Sequence, residues 1–157
     1  MAKKAVRVFL DSNVILSGLI SEKGAPRIIL DLLSLRLPWL AGLTGEYNII
    51  EIERNLVRKL PAALPAYKRY FTKLGLKIVP LPSRADVENC RGCIADKDVP
   101  VLVSAISGKA DYLVTGDNKD FGKIRQSDAY PFKIVTPAEF LDGIAPDILQ
   151  LTAKGTE

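Results

Sequence analysis

Short β-branched and apolar runs alternate with helical stretches along this chain, and residues that favour turns or helix caps cut each run off. Val6–Leu10 (VRVFL) ends abruptly in Asp11-Ser12-Asn13, which predicts a strand, a loop and then a helix. Pro26 suits a helix's first turn, and Ile28, Ile29, Leu32 and Leu33 follow at helical spacing, so a helix is expected from about Ala25 to Leu35. Leu37–Leu43 (LPWLAGL) reads as a second strand with a proline near its start. Glu46–Leu60 carries Ile49, Ile52, Leu56 and Leu60 three to four residues apart and stops at Pro61; with Tyr67–Gly75 it predicts a helical hairpin. Leu76–Leu81, Asp111–Thr115 and Phe132–Val135 are strand-like, Val99–Ser107 is helix-like, and Pro137–Leu141 opens a final helix.

Alternation of this kind constrains the fold strongly, because right-handed crossovers through helices join successive parallel strands. The expected class is α/β, a three-layer α/β/α sandwich around a mainly parallel central sheet. A chain of 157 residues suits one domain, read here as residues 1–157 with a core of about 6–144.

Composition excludes more than it selects. With 48% hydrophobic and 25% charged residues the chain is globular rather than disordered. No apolar run approaches the ~20 residues of a membrane helix. The start, Met1-Ala-Lys-Lys, lacks a signal peptide's apolar region, so a cytoplasmic location without membrane association is expected. The net charge of +4 allows a polyanionic partner without requiring one. The absence of histidine is more restrictive. It removes Ser-His-Asp and Cys-His catalysis, histidine-based zinc sites and the commonest general base. Cys90 and Cys93 form an isolated CxxC pair with too few ligands for a closed zinc site, and read as ordinary loop cysteines. Hydrolytic chemistry here must lean on carboxylates, lysines or oxygen-bound metals.

In an open α/β sheet, ligands gather outside the carboxyl ends of the strands. Asp11 follows the first expected strand, Asp117 follows the strand ending at Thr115, and Asp98 opens the helix leading into it. Singly, Asp98 reads equally well as a helix N-terminal acid, and Asp11 and Asp117 as loop residues bonding nearby amides. Together, carboxylates crowded at one edge repel one another unless a hard divalent cation neutralises them. Mg2+ or Mn2+ held in this way lowers the pKa of bound water and stabilises charge developing on a phosphodiester.

Several stretches carry a family resemblance that covers nearly the whole chain, from Val6 to about Leu141. RVFLDSNVILSGLIS, GEYNIIEIERNL, DKDVPVLVSAISGKADYLVTGDNKDF and FKIVTPAEFL resemble the blocks of PIN domains. The resemblance implies a PIN-like fold and a metal-dependent endoribonuclease, with Asp11, Glu51, Asp98 and Asp117 as catalytic metal ligands for Mg2+ or Mn2+. Ser12, Asn13, Asp96, Thr115 and Asp120 stand beside them as auxiliaries. Gly45 departs from the serine or threonine usual before the second block. The apolar stripe of the Glu46–Leu60 helix centres near Glu53 and puts Glu51 on the far side, so Glu53 is held as an alternative second acid. The resemblance further implies single-stranded RNA as substrate, a protein antitoxin as partner and a homodimer.

Arg54, Arg58 and Lys59 share the helix of Glu51, and Lys68, Arg69 and Lys73 lie on the next, a candidate RNA-binding surface or simply a solvated face. Tyr67, Tyr70 and Phe71 are candidates for base stacking or for the core. A dehalogenase-like phosphatase would want an aspartate where Asn13 stands, and a receiver domain would want paired acids near the start, which Met1–Leu10 lacks. A non-catalytic RNA-binding or assembly module of the same fold is the remaining alternative, which the presence of all four acids disfavours.

Overall fold

Both faces of the first strand are covered, which is the packing that places the candidate site. The computed structural model describes residues 5–125 and 129–155. In strand β1 (Val6–Leu10), Val8, Phe9 and Leu10 are all fully buried, as expected of a parallel strand with helices on both sides. Alternation sends Val8 and Leu10 to one face and Phe9 to the other, and each face has its own apolar cluster.

The strands β2 (Leu40–Gly45), β3 (Lys77–Val79), β4 (Tyr112–Val114) and β5 (Lys133–Val135) complete the sheet. All pairings are parallel and the spatial order is β3-β2-β1-β4-β5. Helices α1 (Ser12–Ile20), α2 (Ala25–Ser34), α3 (Glu46–Lys59), α4 (Leu64–Leu74) and the final α8 (Pro137–Gly155) supply the cluster around Val8 and Leu10. The short α5 (Arg84–Asn89), α6 (Val99–Ser107) and α7 (Asn118–Phe121) lie in the other half of the chain, where α6 and Phe121 of α7 pack with Phe9, Leu43 and Leu113. This is the expected three-layer arrangement.

Several boundaries shift for local reasons. The second strand starts at Leu40 rather than Leu37, because Pro38 lies in a turn closed by the bond from Leu40 N to Leu37 O at 3.2 Å. Helix α4 begins at Leu64, after a 3-10 turn at Pro61–Ala63, since a proline early in a helix fits there as well as it terminates the one before. The strand-like run Leu76–Leu81 pairs only over Lys77–Val79, and the short α5 was not anticipated. Tyr67 and Phe71 pack ring to ring at 5.6 Å within or against the apolar cluster, and the Arg27 guanidinium sits 5.1 Å from the Tyr70 ring, so these aromatics serve the core side of the hairpin. Among the described residues no helix is long and apolar enough to cross a membrane.

Candidate metal centre

The strand order reverses between β1 and β4: the chain runs outward from β1 to β2 and β3, then returns to the other side of β1 for β4 and β5. The carboxyl ends of β1 and β4 therefore flank the crevice where ligands of such sheets bind. A cleft of about 180 Å³ opens there, lined by Asp11, Ser12, Asn13, Leu16, Glu51, Asn55, Lys97, Asp98 and Asp117.

One wall of the cleft is tied together by hydrogen bonds. Asp11 caps α1, its Oδ1 accepting the Ser12 amide at 2.7 Å and the Asn48 amide group at 3.2 Å. Its Oδ2 accepts the Thr115 hydroxyl at 2.8 Å and the Asn13 side-chain amide at 3.4 Å. Thr115 Oγ1 in turn accepts the Asp117 amide at 3.0 Å, and Asn13 Oδ1 accepts the Gly116 amide at 3.0 Å, which fastens β1's exit to β4's. Ser12 Oγ donates to Glu51 Oε1 at 3.1 Å and accepts from Asn48 at 2.9 Å. Even with these donors, burial pushes the Asp11 carboxyl from 3.8 up to about 6, with Glu51 and Asp117 adding smaller repulsions.

The other wall is built differently. Asp98 closes a 3-10 turn, Asp96–Asp98, at the start of α6; it is buried, and its Oδ2 has no hydrogen-bond partner among the described residues. Burial raises its pKa from 3.8 to about 7, Lys97 opposing the rise and Asp11, Asp117 and Asp120 adding to it. Oxygens of Asp98, Asp117 and Asp120 all lie within 4.8 Å of one another. The Asp120 amide caps back onto Asp117 Oδ1 at 3.1 Å, which holds α7 against the acid that precedes it. A buried carboxylate with one oxygen unpartnered among the described residues, gathered with two more carboxylates and with no imidazole or thiolate in the cleft's lining, fits a hard cation such as Mg2+ or Mn2+.

A family model described as the PIN domain matches residues 7–119, which hold Asp11, Glu51, Asp98 and Asp117. The chain belongs to the PIN domain family. No curated protein matches it in sequence. Among solved structures, this PIN domain resembles VapBC2 from Rickettsia felis bound to a DNA fragment from their promoter, at 16% identity and a TM-score of 0.64, covering 83% of this chain and 98% of that one. It also resembles DNA-bound VapBC from Salmonella typhimurium at 14% identity, a TM-score of 0.63, and 84% and 98% coverage. VapBC-1 from nontypeable Haemophilus influenzae follows at 15% identity, a TM-score of 0.60, and 85% and 99% coverage. At these identities the likeness is one of fold.

Within the PIN domain, Asp11, Glu51, Asp98 and Asp117 all reach the cleft, as do Ser12 and Asn13, with Thr115 bonded directly behind Asp11. Asp120 belongs to the tight carboxylate group, whereas Asp11 and Glu51 stand outside it on the facing wall. Asp96 is exposed at the start of its 3-10 turn and lines neither wall. Glu53 faces α4, where its charge bears on Tyr67, while Glu51 faces Ser12. The wheel drawn from apolar residues misplaced Glu51 because the buried line of α3 is Asn48, Ile52 and Leu56, with a polar residue in its first turn. Arg54, Arg58 and Lys59 are exposed along α3.

Asn48, Asn55 and Lys97 are site residues that the sequence pattern did not single out. Asn48 is fully buried and its Oδ1 accepts the Gly45 amide at 3.2 Å, so it caps α3 while its amide group holds Asp11. The signal was the Gly45-x-x-Asn48 spacing at a helix start. A Cβ on Gly45 would stand 2.8 Å from Asn48 Oδ1 and 3.1 Å from Ser104 Oγ, so the small residue makes room for the cap that replaces it.

Proposed function

We propose that this PIN domain is a metal-dependent endoribonuclease that hydrolyses phosphodiester bonds of single-stranded RNA, with Asp11, Glu51, Asp98 and Asp117 holding Mg2+ or Mn2+ and Asp120 assisting. The observation that carries the reading is the buried Asp98, which has an oxygen without a hydrogen-bond partner among the described residues and whose carboxylate gathers with Asp117 and Asp120 at the switch point of the sheet. When bound, a divalent ion supplies an activated water and neutralises charge developing on the phosphate. The chain's own residues do the rest. Asp11 is fixed in place by Ser12, Asn48 and Thr115, so the wall it forms is set before any ligand arrives. Glu51 is aimed across the cleft by Ser12. Arg54, Arg58 and Lys59, exposed along α3, offer the RNA backbone a basic approach to the cleft.

The likeness in fold to VapBC complexes supports a further reading, a toxin of a toxin–antitoxin pair held by a protein antitoxin; a homodimer acting in the cytoplasm is part of the same proposal. The test of activity is cleavage of an end-labelled single-stranded RNA by purified protein with Mg2+ or Mn2+, beside EDTA, Asp11→Asn and Asp117→Asn controls. Metal-dependent cleavage lost in both variants is the expected result. Binding of RNA without any cleavage would replace the nuclease by a non-catalytic RNA-binding module.

A further inference from the structure

The cleft already contains a cation. Lys97 Nζ lies 3.0 Å from Asp120 Oδ2 and 3.9 Å from Asp117 Oδ2, and both residues belong to the group whose oxygens gather within 4.8 Å. Its backbone is anchored: the Tyr47 hydroxyl donates to the Lys97 carbonyl at 3.2 Å, and the 3-10 turn is closed by Asp98 N to Ala95 O at 2.9 Å. The side chain is not anchored beyond its ion pairs, being 69% exposed. A primary ammonium on a flexible stem satisfies these carboxylates one at a time and loosely, whereas a hard divalent ion, with its preference for several oxygen ligands, would engage them together. The two cations claim the same carboxylates. With both present they repel at short range, and the exposed one is free to leave.

We infer that Lys97 is a tethered counter-ion that competes with the divalent ion for Asp117 and Asp120, an inference that rests on the metal-dependent reading above. It holds the acidic wall together until metal arrives and sets the metal affinity of the site. Once displaced, its ammonium stays on a tether anchored at the cleft mouth. Lys97 is thus a positioning residue for the acids rather than a catalytic one.

The test is calorimetric titration of Mn2+ alone into the full-length wild-type protein and into Lys97→Met, Lys97→Arg and Lys119→Met, without RNA. Working at pH 8 keeps proton competition small. Lys119 is the control for a merely general field effect, since it is exposed on the same short helix as Asp120 and makes none of the ion pairs in the cleft. The expected result is that Lys97→Met binds Mn2+ roughly two- to fivefold more tightly, the upper part of the range of a solvent-screened ion pair. Lys97→Arg should stay near wild type and Lys119→Met should change less than about twofold. Equal or weaker Mn2+ binding by Lys97→Met overturns the inference and leaves the metal reading standing, as does an equal gain in Lys119→Met. Saturable Mn2+ binding in none of the proteins overturns the metal reading, and the competitor role with it.

Discussion

Asp11 and Asp98 are both buried carboxylates facing one cleft, yet they are supported in different ways. Asp11 receives donors from Ser12, Asn48, Thr115 and Asn13, and its wall joins β1, β4 and α3 into one hydrogen-bonded unit. Asp98 has a buried oxygen with no donor among the described residues, and its neighbours Asp117 and Asp120 are paired with the exposed Lys97. The first wall is part of the fold and would persist with nothing bound. The second is a site of unbalanced charge that a cation would complete. A buried polar group without a partner costs free energy, so the asymmetry marks where the fold leaves charge uncompensated.

The two walls therefore respond differently to mutation. The largest effect is expected for Asp117→Asn, which should lower metal-dependent RNA cleavage by roughly 100-fold or more while circular dichroism shows an unchanged fold. Cleavage at the wild-type rate would remove Asp117 from the machinery. Next, Asn48→Ala should destabilise the metal-free protein by about 2 to 4 kcal/mol in urea unfolding, because the buried Gly45 N–H loses its partner and Asp11 loses one of its four donors. Asp98→Asn should do the opposite and stabilise the metal-free protein by about 1 kcal/mol at pH 8, since it removes a buried charge held against Asp11, Asp117 and Asp120. Equal destabilisation in these last two variants would erase the distinction between the walls. Smallest of all, Arg58→Ala and Lys59→Ala should each weaken single-stranded RNA binding only a few-fold, lowering the slope of log affinity against log salt by about 0.7 for each phosphate no longer neutralised.

Much of this was readable from the chain. The alternation of VRVFL, DYLVT and KIV with helical stretches is enough for a parallel sheet, because each run has the length and branching of a buried strand. The acids could be placed because they follow strands or open helices, and topology does the converging. Finer detail in both walls escaped for physical reasons. Asn48 is a polar residue in a buried helical position, so any wheel weighted by hydrophobicity turns α3 the wrong way and hides both the cap and the direction of Glu51. Lys97 escaped because a lysine between two aspartates looks like solvated surface, and its role depends on Asp120 from a helix over twenty residues further on. Short irregular elements such as α5 carry too few apolar positions to show a period.

The sharpest test concerns charge in the metal-free cleft. Asp11 and Asp98 have folded values of about 6 and about 7 against an ordinary 3.8. The native state thus keeps protons that the unfolded chain has already released, and its stability falls as pH rises from about 4 through 7. Asp120 and Glu139, whose values are lowered, act in the opposite sense, but only below the ordinary carboxylate range. Thermal unfolding in EDTA at pH 5.5 and pH 8 should therefore give the higher midpoint at pH 5.5, and saturating Mn2+ should raise the pH 8 midpoint until the gap closes or reverses. A midpoint that is independent of pH in EDTA and unmoved by Mn2+ or Mg2+ at pH 8 would contradict the reading of this cleft as a cation site.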